Sequence, residues 1–173
     1  MEIRKTKIEE IDRVMEIILH AKEAMKAMHI PQWQSPDYPK KEDIEEDIKQ
    51  GASYVVEDEG ELVATMCLYY RNDPAIDHYD YIEEGKWLKE EGNYVVLHRC
   101  AVEDEYKGKG YSQRLFAFGE AYARSLGCND YRIDTHEKNG PMLKAIEKYG
   151  FRPCGIVYMY DKTKRIAFQK LLA

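Results

Sequence analysis

"CAVEDEYKGKGYSQRL", residues 100–115, holds the feature around which the rest of the chain arranges itself. An apolar, strand-like end leads into two glycines flanking Lys109, and an amphipathic run begins at once. Two readings fit the glycine pair: a tight turn into a helix, or a cradle for a phosphate. The second has a physical basis. The first N–H groups of a helix lack intrahelical partners, and the macrodipole places partial positive charge there. Glycine lets the backbone approach phosphate oxygens with no Cβ in the way. Gly108, Lys109, Gly110, Tyr111 and Ser112 supply such a run of donors, and Lys107, Lys109 and Arg114 gather positive charge beside it. Two common phosphate motifs are absent. GxxxxGK(S/T) does not occur, and GxGxxG fails because position 113 is Gln.

Working outward, "YVVLHRCAV" (94–102) is the most strand-like run in the chain. After the glycines, Leu115, Gly119, Tyr122 and Leu126 recur at helical spacing with Phe116 and Ala123 beside them, and Gly127 suits the C-cap. "DYRIDTH" (130–136) predicts a strand. Asn139 predicts the N-cap of a helix with Pro141 in its first turn and Gly150 at its end. "CGIVYMYD" and "RIAFQKLL" predict a closing hairpin. Toward the N-terminus, "MEIRKTK" reads as a strand, and Thr6 with Glu9 predicts a capping box for a helix over 8–28. Three prolines break 29–40, a charged helix spans 41–50, and 52–70 is two strands around an acidic turn with Gly60. Residues 71–93 form a long polar and aromatic excursion, read as a lid or as a face packed on a second subunit. The predicted order is β-α-α-β-β-β-α-β-α-β-β, a mixed α/β (α+β) sheet with helices packed on it.

A chain of 173 residues with 44% apolar content fits one domain, 1–173, with a real core. No apolar run is long enough to span a bilayer and the N-terminus is charged early, so a cytoplasmic location is expected. The net charge of −6 argues against nonspecific nucleic-acid binding and makes the basic cluster near Gly108 informative. Cys67, Cys100, Cys128 and Cys154 show no CxxC spacing and read as reduced structural thiols, with no metal site expected.

Glu105-Tyr106-Lys107-Gly108-Lys109-Gly110 resembles the acyl-CoA signature of the GNAT N-acetyltransferase superfamily: Arg or Gln, two residues, Gly, one residue, then Gly or Ala. Glu105 departs from the first position. "NGPMLKAIEKYGFRPCG" (139–155) resembles the family's next motif, which runs from an Asn into a helix and ends in "GF". The element order matches along nearly the whole chain, and the pattern "HR.AV…RIDTH…N.PM" is similar to bacterial members of undefined substrate. The resemblance implies a GNAT fold: a mixed central sheet of about six to seven strands with helices on both faces and splayed central strands binding CoA. It implies acetyl-CoA as cosubstrate, with the pyrophosphate on backbone N–H groups from Lys107 to Ser112. Pantetheine would run along Cys100, Ala101 and Val102 like an added strand. Asn139 would contact pantetheine or the adenosine diphosphate arm, a role compatible with N-capping.

The activity implied is transfer of acetyl from acetyl-CoA to a primary amine, on a small molecule or a peptide, by direct attack in a ternary complex. Such an amine has a pKa of about 10.4, so neutralising it at pH 7 costs roughly 4 to 5 kcal/mol, and a base is worth having. Strand alternation sets Val96, His98 and Cys100 on one face and Leu97, Arg99 and Ala101 on the other. A His falls at the position of His98 in arylalkylamine-acetylating relatives. His98 is therefore the candidate base, against a structural histidine bonded across the sheet, and His136 is the second candidate. Arg99 is expected to be buried and paired with an acid such as Asp134. The family's acid tyrosine falls at Ile146, which leaves Tyr149, three residues on, as the nearest phenol. The acceptor is sought at Trp33, Gln34 and Glu23, near Tyr38, where an aromatic beside a carboxylate suits an ammonium. The departure at Ile146 keeps a second reading open, a noncatalytic acyl-CoA-binding regulatory or sensor protein. A homodimer is a further expectation.

Overall fold

A computed structural model describes residues 1–71 and 73–173; Asn72, inside the 71–93 excursion, lies outside the described residues. The regular elements are β1 (Glu2–Lys5), α1 (Ile11–Ala27), α2 (Lys41–Lys49), β2 (Ser53–Asp58), β3 (Glu61–Tyr70), β4 (Val95–Val102), α3 (Tyr111–Ser125), β5 (Asp130–Thr135), α4 (Gly140–Tyr149), β6 (Arg152–Tyr158) and β7 (Lys164–Leu171). This is the predicted order. The strands form a seven-stranded sheet, β1-β2-β3-β4-β5-β7-β6. Its pairing is mixed: β4 and β5 run parallel, while β1–β2, β2–β3, β5–β7 and β6–β7 are antiparallel. No helix among the described residues is long and apolar enough to cross a membrane. The chain divides into two compact units, Met1–Leu68 with Arg99–Leu115, and Tyr69–His98 with Phe116–Ala173.

In the first unit, α1 buries Val14, Ile17, Ile18 and Met25, a stripe at helical spacing. Ile8, the first residue of the predicted helix over 8–28, is exposed in a short 3-10 turn ahead of α1. The cap also sits one residue later than Thr6 and Glu9 predict. The Lys7 N–H donates to the Glu10 carboxylate at 2.9 Å. Thr6 Oγ1 instead bonds Ser53 Oγ at 2.7 Å and ties the end of β1 to β2. The β2–β3 turn has positive φ at both Glu59 (50°) and Gly60 (82°), the conformation whose twist suits a two-residue hairpin. The proline-broken loop is stitched to α1. Lys22 Nζ donates to the Ser35 and Tyr38 carbonyls (3.0 and 2.9 Å), and Gln34 Nε2 donates to the Lys22 carbonyl at 3.0 Å.

In the second unit, β5 pairs with β7 along its whole length, and β7 closes a hairpin with β6. Asn139 caps α4 as predicted, its Oδ1 accepting from the Met142 N–H at 3.3 Å, and Gly150 ends the helix with φ 101°. Of the excursion, residues 73–93 form a strap tied to β6. Glu83 and Ile156 exchange two backbone bonds of 2.8 Å, and the Lys86 N–H donates to the Cys154 carbonyl at 3.1 Å. Trp87 stacks on Tyr79 with ring centroids 5.6 Å apart, and its Nε1 donates to the Tyr79 carbonyl.

Candidate functional site

β4 carries the site, and its pairing explains how. The parallel ladder to β5 contains Val95↔Tyr131 and Val96↔Arg132 and ends there, while β4 continues to Val102. Three residues past the last rung, Arg99 has φ 49°, an uncommon conformation for a long side chain. A left-handed residue ends the pleat, so the strict alternation expected across His98, Arg99 and Cys100 is interrupted. Arg99 is held by Asp47 of α2, to which its Nη1 donates at 2.6 Å, and its guanidinium lies 5.5 Å from the centre of the Tyr38 ring. Cys67 Sγ donates to the same carboxylate at 3.2 Å. Burial and then Asp47 push the Cys67 thiol well up, so it stays a thiol. The expected burial of Arg99 is observed, but its acid is Asp47 and not Asp134. Beyond the break, burial pushes the Cys100 thiol up to about 12, which removes it as a nucleophile near neutral pH.

The glycine loop follows. The Lys107 N–H donates to the Asp104 carbonyl at 3.2 Å and Lys107 Nζ pairs with the Asp104 side chain at 2.6 Å. The Lys107 N–H is thus engaged within the chain, ahead of the two glycines. Gly108 (φ 76°) and Gly110 (φ 84°) are both left-handed and exposed, and a Cβ on either would meet no protein atom within 4 Å. Open space beside both glycines at the start of α3, among the described residues, fits a polyphosphate. The Tyr111 side chain is buried, and its hydroxyl donates to Asp58, pinning the start of α3 to the β2–β3 turn. That bond holds the Asp58 carboxyl below its usual range and raises the Tyr111 phenol. Tyr106 meets Tyr111 edge-on at 5.8 Å, and Lys109 Nζ sits 5.2 Å over Tyr106. Neither Tyr106 nor Asp58 stood out in the sequence, because both act through contacts rather than a motif.

His98 belongs to a buried cluster in the second unit. Its ring centroid lies 6.0 Å from that of His78. His78 Nε2 is 3.4 Å from Asp134 Oδ2, which also accepts from the Tyr79 hydroxyl at 2.6 Å, and Arg165 Nε is 3.8 Å from Asp134 Oδ1. Burial alone would raise the Asp134 carboxyl. The His78 bond and the nearby His78, His98 and Arg165 charges outweigh it and hold the group well below the usual carboxylate range. His136 is buried, its Nδ1 accepting from the Lys138 N–H at 3.0 Å. Burial, and next the Arg165 charge, lower its pKa. No group of three His, Cys, Asp or Glu among the described residues is arranged to hold a metal ion.

The remaining candidates lie elsewhere. The Tyr149 hydroxyl donates to Glu120 at 2.7 Å, Lys170 Nζ pairs with the same carboxylate at 3.0 Å, and burial and Glu120 raise the phenol. That hydroxyl is engaged within α3, α4 and β7. Ile146 is fully buried. Trp33 is buried at φ 63°, and Gln34 Nε2 is bonded to the Lys22 and Gln32 carbonyls, so both brace their loop, while Glu23 is exposed on α1.

A model of the acetyltransferase (GNAT) family matches residues 19–151. A GNAT-family acetyltransferase from Streptococcus agalactiae is similar at TM-score 0.87 and 33% identity, over 99% of this chain and 95% of that one. A GNAT-family acetyltransferase from Listeria monocytogenes matches at TM-score 0.75 and 21% identity, over 99% and 94% of the two chains. A ribosomal-protein-alanine N-acetyltransferase from Brucella melitensis matches at TM-score 0.66 and 17% identity, over 99% and 100%. The last two show the fold alone. No curated protein sequence matches the chain. Fold and loop together define an acyltransferase class that draws its acetyl group from acetyl-CoA. The chain belongs to the acetyltransferase (GNAT) family.

Proposed function

We propose that the protein transfers acetyl from acetyl-CoA to a primary amine, on a small molecule or a peptide, by direct attack within a ternary complex. The observation that carries the reading is β4 itself: its ladder to β5 ends at Val96, and the strand runs on through Cys100, Ala101 and Val102 into an open, glycine-bounded helix start. A strand backbone beyond its ladder suits an extended amide-bearing chain such as pantetheine. The N–H groups from Gly108 to Ser112 would hold the pyrophosphate, and the Cys100–Val102 backbone would orient the arm. When bound, acetyl-CoA supplies an already activated acetyl thioester, so no protein nucleophile is required. His98, two residues before Cys100 on the same strand, takes the proton from the acceptor ammonium. We assign no acid role to Tyr149, whose hydroxyl serves Glu120. Asn139 is read as both helix cap and cofactor contact. Trp33, Gln34, Glu23 and His136 are proposed as acceptor contacts, with Trp33 and Gln34 also bracing their loop. We place the protein in the cytoplasm as one domain over 1–173. The comparisons lend no support to the noncatalytic alternative.

Calorimetric titration with acetyl-CoA, followed by thiol release against polyamines, amino acids, aminoglycosides and peptides, tests this reading. Binding with acceptor-dependent thiol release is expected. Gly110→Ala is expected to weaken acetyl-CoA binding about tenfold, because it forces a Cβ into a left-handed position at the phosphate. His98→Gln is expected to cut turnover by about 100-fold with acetyl-CoA affinity unchanged. Binding without release across the whole panel would replace the enzyme with the sensor reading, and no binding would remove both.

A further inference from the structure

Glu103 commits its backbone and its side chain to different neighbours. It follows β4 directly and opens the 3-10 turn Asp104–Tyr106, which leads on to Gly108. Its N–H donates to the Val63 carbonyl of β3 at 3.0 Å, and its carbonyl accepts from the Tyr106 N–H at 3.0 Å. Its buried carboxylate reaches α1. Arg13 Nη1 donates to Glu103 Oε1 at 3.0 Å while Arg13 Nη2 donates to the Leu62 carbonyl at 2.8 Å, and His20 Nδ1 lies 3.0 Å from both Glu103 oxygens. An ionised carboxylate only accepts, so His20 Nδ1 carries the proton in this contact. One residue thus ties α1 and β3 to the turn ahead of the glycines.

A buried carboxylate at the head of a polyphosphate loop needs a reason, because its charge opposes the ligand. The charged groups that face His20 are Glu103 at the end of β4, and Arg13 and Glu16 on α1, with Arg13 Nη1 3.3 Å from Glu16. With a neutral imidazole these groups sum to one negative charge, and with an imidazolium they cancel. The imidazolium also makes the stronger bond to Glu103, because both partners are then ionised. The Glu103 bond, and next the Glu103 charge, raise His20 above its ordinary value. The His20 side chain is 46% exposed, so it exchanges protons with solvent freely.

We propose that Glu103 is a positioning residue for the glycine loop, clamped to α1 by Arg13 and His20, and that the His20 imidazolium completes the clamp, so that the chain binds acetyl-CoA more tightly with His20 protonated. This rests on the reading of the loop as the pyrophosphate site. Glu103 acts through the backbone: it holds the turn from which the N–H groups of Gly108 to Ser112 project. A firmer clamp raises the fraction of the chain whose loop is ready for the ligand, and apparent affinity follows that fraction. Cancelling the negative charge works in the same direction.

Calorimetric titration of the full chain with acetyl-CoA, at about pH 6 to 9, tests this for the wild type, His20→Asn and Glu103→Ala. Between those limits wild-type affinity is expected to fall about fivefold more than that of His20→Asn. The difference cancels the titration of the ligand's own phosphate, which both proteins share. Asn sets an amide nitrogen near the Nδ1 position, so it keeps a bond to Glu103 but takes up no proton. Glu103→Ala removes the clamp together with a negative charge, so a field effect alone would tighten binding. Binding about tenfold weaker at low pH is expected instead. Linkage is reciprocal, so saturating acetyl-CoA is expected to raise the His20 midpoint in a wild-type NMR titration by about 0.7 of a pH unit, a measurement that needs no variant. Parallel pH profiles in the wild type and His20→Asn, or a His20 midpoint that acetyl-CoA does not move, overturn the role of His20. Folded Glu103→Ala that binds as tightly as the wild type overturns the clamp. Either result leaves the acetyl-CoA reading standing, whereas no wild-type binding at any pH removes both.

Discussion

The two units each bury an arginine–aspartate pair, and the pairs differ in what the backbone does beneath them. Arg132 and Asp130 lie two residues apart on β5, on one face of a regular strand. Arg132 Nε and Nη2 donate to Asp130 at 2.9 and 2.8 Å, and the guanidinium sits between Trp87 (4.0 Å) and Tyr94 (3.9 Å). Gln169 Nε2 donates to Asp130 Oδ1, and the Lys89 carbonyl accepts from Arg132. The pair is saturated, stacked, and anchors the strap to the sheet. Arg99 and Asp47 are far apart in sequence and meet across β4 and α2, with the arginine in a left-handed conformation. Such a residue stores about 1–3 kcal/mol of strain and persists only where its surroundings impose it. The first pair fixes a rung of the ladder, since Arg132 is the partner of Val96; the second fixes the place where the ladder has ended. One chemistry therefore serves two settings, a regular strand in one unit and a left-handed residue imposed by its surroundings in the other.

Removing Arg132 should have the largest effect. Arg132→Met leaves the fully buried Asp130 carboxylate without its cation and should cost about 3–5 kcal/mol in urea unfolding. Acetyl-CoA affinity of the folded fraction should be unchanged. Asp47→Asn keeps a polar partner for Arg99 and should cost less, about 2 kcal/mol, while weakening acetyl-CoA binding in calorimetry by about tenfold. If Asp47→Asn lowered stability and left affinity intact, the two pairs would be alike and the contrast would collapse. A third, more accessible cluster calibrates the low end. Burial alone would raise the Glu120 carboxyl, but bonds from Tyr149, Lys170 and Arg124 outweigh it and lower the group from its ordinary 4.5 to about 2. Because the folded value is depressed, its contribution is present above pH 4.5 and is lost as pH falls toward 2. Tyr149→Phe should therefore cost about 1 kcal/mol at neutral pH, with a difference from wild type that shrinks toward pH 2 in acid-unfolding curves. Its turnover should stay within about twofold; a loss of 100-fold would return Tyr149 to the acid role.

Whatever depends on near neighbours was legible in the sequence. Asn139, Pro141 and Gly150 bound α4 because caps are local chemistry, and Gly108 and Gly110 mark left-handed backbone because glycine adopts it without penalty. The element order and the parted strand followed from period and family resemblance. The misses are long-range. Arg99 carries no sign that α2 will supply its aspartate or that its φ is positive, since a non-glycine residue held left-handed is imposed by packing. The capping box shifted by one residue because Thr6 found Ser53, 47 positions away. His78 sat in a stretch with no periodicity, and only the fold sets it on Asp134. The contacts of Tyr149 with Glu120 and of Gln34 with the Lys22 carbonyl, and the burial of Trp33, are likewise set by the fold and carry no mark in the local sequence.

The strap has a consequence for how copies of this chain can meet. β6 ends the sheet, and Glu83 occupies its backbone at Ile156. The approach is close enough that a Cβ on Gly85 would fall 2.0 Å from the Cys154 carbonyl oxygen, and one on Gly155 would fall 2.7 Å from that of Glu83. An open strand edge invites a neighbour's strand and, through it, aggregation. Here that edge is spent internally, and the other end of the sheet is β1, four residues of which three are charged. Self-association by strand addition is thereby discouraged at both ends, and a side chain at either glycine would lift the strap and reopen one of them.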